Sequence, residues 1–90
     1  MHSSGYNIYQ SFEELMKLEI QHAKAFEAEY PIGSEFRCVK NYGPFKENET
    51  CRFLKTREFG IKGLAWAMGV EFEDGKSVTF REFETYFIPV

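Results

Sequence analysis

Ninety residues suffice for a single domain, and 43% hydrophobic content with ten phenylalanines and one tryptophan marks an ordered chain with a small aromatic core, which excludes a disordered polymer. A formal net charge of −3 argues against a duplex nucleic-acid binder, which normally presents a basic face. No apolar run approaches the roughly eighteen residues of a membrane span and no charged-then-apolar leader opens the chain, so a cytoplasmic protein is expected.

Residues 1–10 begin small and polar and are expected to form a flexible end, with Tyr6, Ile8 and Tyr9 suited to covering apolar surface. Ser11-Phe12-Glu13-Glu14 matches a capping box, in which the serine hydroxyl accepts from the third helical N–H while Glu14 reaches back to the serine N–H. A helix is therefore predicted over 11–30. Phe12, Leu15, Met16, Ala23, Phe26 and Tyr30 fall on one side of it, Glu13, Glu14, Lys17, Gln21 and Lys24 on the other, and Pro31 stops it. The helix carries the whole net charge, because acids and bases cancel over 31–90.

Glu19 projects into the middle of the apolar stripe, where a carboxylate must find a partner. A basic side chain or a backbone N–H at a partly wet edge is expected to meet it. A catalytic role would need a second acid, a histidine or a nucleophile at a matching spacing, and the chain offers none. His22, near the edge of the stripe, reads as a packed or half-exposed side chain.

The β part is predicted over 33–90. Residues 34–40 place Phe36 and Cys38 on one face, and Asn41-Tyr42-Gly43-Pro44 is turn chemistry that tucks Phe45 back onto the core. A second strand, 49–56, alternates Cys51 and Phe53 with Arg52 and Leu54, and 57–63, with two glycines, reads as a link. Cys38 and Cys51 have no zinc spacing; they read as core thiols, with a cross-strand disulfide the alternative.

Residues 64–80 carry the strongest pattern. Leu64, Trp66, Met68, Val70 and Phe72 alternate with Ala65, Ala67, Gly69, Glu71 and Glu73, and the alternation resumes at Val78 and Phe80. A three-residue loop, Glu73-Asp74-Gly75, with Gly75 in the left-handed region pairs Phe72 with Lys76, Val70 with Val78 and Met68 with Phe80. Trp66, Met68 and Val70 then point into the interior, while Ala65, Ala67 and Gly69 form a small-residue face suited to a docked helix. A tight helical turn at 81–84 and a last strand at 85–90, with Pro89 at an edge, complete the chain.

This succession resembles the SH3-like small barrel, and most closely the small prokaryotic and phage proteins of that type. Gly33 before the first strand, Gly43-Pro44-Phe45-Lys46 after it, Glu73-Asp74-Gly75 in the middle hairpin and Glu82-Phe83-Glu84 before the last strand carry the likeness. It implies a mainly β (α+β) fold: an antiparallel barrel of about five strands with the N-terminal helix packed on it. The alternative is an open, strongly bent antiparallel sheet with the helix laid across it. The aromatic-Asp-aromatic motif and paired tryptophans of proline-binding SH3 domains are missing, so the resemblance does not extend to proline-rich ligands.

No nucleophile elbow, phosphate-cradling loop or metal-ligand spacing stands out, so neither an enzyme nor a cofactor is expected. The resemblance implies a protein-interaction module, in its most concrete form a phage-type inhibitor or adaptor that docks on a host protein. The alternative is a nucleic-acid module using Arg52, Lys55, Arg57 and Lys62, with Tyr42 or Phe59 as stacking groups. Tyr42, Phe45 and Phe59 are also the rings that would build a cage for a methylated ammonium, or seal a barrel end.

Overall fold

The computed structural model describes residues 4–61 and 65–90, with side chains over 12–60 and 66–90. Along the chain run α1 (Ser4–Glu29), β1 (Glu35–Cys38), β2 (Thr50–Ile61), β3 (Ala65–Phe72), β4 (Ser77–Thr79), α2 (Phe80–Tyr86) and β5 (Phe87–Pro89). The strands form one antiparallel sheet in the order β4-β3-β2-β1-β5. No helix among the described residues is long and apolar enough to cross a membrane.

The central hairpin has the predicted register. Val70 pairs with Val78 and Glu71 with Ser77, the Phe72 N–H donates to the Lys76 carbonyl at 2.8 Å, and Gly75 has φ of +90°. The expected Met68–Phe80 pair does not form, because Phe80 already belongs to α2. A capping box starts that helix: Thr79 Oγ1 accepts from the Glu82 N–H while Glu82 Oε1 accepts from the Thr79 N–H.

Three other expectations are corrected. The helix begins at Ser4, so Ser11 lies inside it and its capping box marks no start. The stretch 57–61 is strand: β2 pairs with β3 from Phe53↔Phe72 to Ile61↔Ala65, and Gly60 sits opposite Trp66. A register shift between Phe53 and Lys55 leaves Leu54 as an extra residue, a bulge where the strand passes from its β1 partner to its β3 partner.

The third correction concerns closure. The sheet is open, with β4 and β5 as its edges, and is not closed into a barrel. Two three-residue edge strands offer little to pair across a seam, and α1 covers the face that a barrel would enclose. Phe26 of α1 packs on Phe36 and Phe53 of the sheet and on Phe80 and Phe83 of α2, with ring centroids 5.0–5.8 Å apart. The helix thus lies on the Val70 and Phe72 side. The small-residue face is turned the other way and is covered by Phe59, whose ring would stand 2.6 Å from a Cβ added at Gly69.

The core is aromatic. Phe36, Phe45, Phe53 and Phe72 are buried with Val70 and Val78, and fully burying each such side chain contributes about 1.5–3 kcal/mol. Cys38 and Cys51 are free thiols in this core, and no disulfide joins them. The Tyr42–Phe45 bridge folds the loop back so that Phe45 meets Phe72 and Phe87 edge-on, as its turn chemistry foretold.

Candidate functional site

Where β4 ends at Thr79 and the chain turns into α2, β3 continues toward Ala65 without that neighbour. The space beside it is a half-open groove of about 380 Å³ between α1, β3 and α2. Ala67, Met68 and Trp66 line it from β3, Leu15 from α1, and Thr79 and Arg81 from the β4–α2 corner. A neighbouring hollow, sharing Trp66, Ala67 and Thr79, extends it toward Phe59 and Gly60.

Glu19 also lines the groove, and its partner is a backbone amide: the Met68 N–H donates to Glu19 Oε1 at 2.8 Å. Among the described residues no histidine or second carboxylate lines the groove. The expected hydrogen-bonding partner at a partly wet edge is therefore present. His22 stacks on Phe80 at 4.2 Å with its Nε2 3.5 Å from a Glu84 carboxylate, outside the groove.

The loop aromatics named from the sequence do not converge. Tyr42 stacks on Tyr86 at 4.1 Å and donates its hydroxyl to Glu82, Phe45 is buried, and Phe59 lies on the opposite face of the sheet beneath the Arg57 guanidinium. The Tyr42–Glu82 bond is the chief cause that pushes the tyrosine up to about 12 and holds the Glu82 carboxyl below its usual range.

Of the basic set, Arg52, Lys55 and Arg57 are exposed along β2, and Lys62 lies outside the described residues. Arg52 is held by Glu35 at 3.2 Å and Arg57 stands 3.7 Å from Glu71, which also faces Lys55 across the ladder. Much of the positive charge on this face is therefore compensated.

A second polar cluster sits at the hairpin tip. Glu49, Cys51 and Asp74 bring ligand-type atoms within 4.8 Å of one another, but the Lys76 ammonium already lies among them, 2.5 Å from Glu49 and 3.6 Å from Asp74. The hydrogen bond to Lys76 lowers the Glu49 carboxyl, the same bond raises the lysine, and burial pushes the Cys51 thiol up to about 11. The Lys76 ammonium thus compensates carboxylate charge in this cluster, and burial favours the protonated Cys51 thiol.

The sequence reading did not single out the groove. Its signals were there: Thr79-Phe80-Arg81-Glu82 is a capping box that ends β4 early, and Leu15 and Leu18 are apolar positions that the helix leaves 59% and 61% exposed. No protein-family model, curated protein or solved structure matches the chain. The fold and the groove define a small α+β domain with one helix laid across an open sheet.

Proposed function

We propose that the protein is a non-enzymatic protein-interaction module that docks on a partner through the α1–β3–α2 groove. The supporting observation is the groove itself: an apolar concavity whose carboxylate is committed to a backbone amide, so it offers contact surface rather than reactive groups. The strand order, with the last strand beside the first, fits an SH3-like descent of the sheet, and an inhibitor or adaptor of phage type is the concrete form of this reading. Two free core thiols fit action in a reducing cytoplasm.

The test is a pull-down with the intact chain beside Leu15→Arg, which puts a long charged side chain on the α1 wall of the groove from an exposed helix position. A protein partner retained by the parent chain, lost by the variant and insensitive to nuclease is the expected result. Nucleic acid captured through Arg52, Lys55 and Arg57, with a steep loss of binding as salt rises, would favour the alternative module instead. Those three side chains do share the face of β2 that carries Phe59, but two of them are paired with acids.

A further inference from the structure

We draw no further inference here: the strongest candidate, the half-open apolar groove between α1, β3 and α2, carries charges of both signs in Glu19 and Arg81, and nothing in the structure shows what covers it.

Discussion

Glu19 of α1 closes the ladder that β4 leaves unfinished: its carboxylate takes the Met68 N–H at the position where the hairpin register would otherwise have brought Phe80. A helix carboxylate thus substitutes for a strand carbonyl. This relationship explains both an acid in an apolar stripe and the early end of β4.

Glu19→Ala should destabilise the fold by about 1–2 kcal/mol, the cost of leaving a half-buried amide without its charged acceptor. Glu19→Gln keeps a carbonyl oxygen in reach and should lose less. Urea unfolding of the two variants checks this, and equal losses would show that the oxygen is not what matters.

Two glycines should respond differently to alanine. Gly75 is at positive φ with open space around it, so Gly75→Ala should cost only the backbone penalty of about 1 kcal/mol. At Gly69 a Cβ would stand 2.1 Å from the Val78 carbonyl oxygen, so Gly69→Ala should cost about 3 kcal/mol and disturb the β3–β4 pairing. Denaturation midpoints rank the pair.

Phe26→Ala should be among the most damaging single changes, at about 3–5 kcal/mol, because one ring bridges α1, the sheet and α2. Deleting residues 1–31 removes that ring with its helix and should leave a molten or insoluble sheet. A truncated chain that unfolds cooperatively as a soluble monomer would refute the role assigned to α1.

The Tyr42–Glu82 pair makes a pH prediction. Glu82 has a lowered folded value, so its contribution is present above the unfolded carboxylate range and is lost as pH falls through the folded value. Tyr42 has a raised one, so its contribution is whole below its ordinary value and is lost as pH climbs toward about 12. Tyr42→Phe removes the leading cause of the Glu82 shift, and its stability should fall less steeply than the parent's between about pH 7 and about pH 3. Chemical denaturation at several pH values reads the slope; parallel curves would refute the coupling.

Both thiols should be silent in the native state. Cys38 and Cys51 are buried, and the Cys51 thiol is pushed up to about 11 by burial, so a disulfide reagent at mildly alkaline pH should label them only as fast as the chain opens. Rapid labelling of either cysteine in the native protein would contradict the core placement.

Local physics made much of the fold legible in the chain itself. The alternation of 64–72, the Glu73-Asp74-Gly75 loop and the parity of Val70 and Val78 determine a hairpin, because side-chain faces repeat every two residues and only one register buries both valines. The Phe45 turn and the apolar stripe of α1 were likewise readable from spacing. Three matters were decided only by tertiary structure. Whether the sheet closes depends on what covers its inner face, and Phe26 covers it from a helix that the sheet's own sequence does not contain. Where β4 stops depends on competition between one more ladder pair and the Thr79–Glu82 capping box, and the box prevails while Glu19 satisfies the amide left behind. The groove exists because of that outcome: Leu15, Met68 and Arg81 lie on three elements far apart in sequence, and no periodicity within any one of them records that they meet.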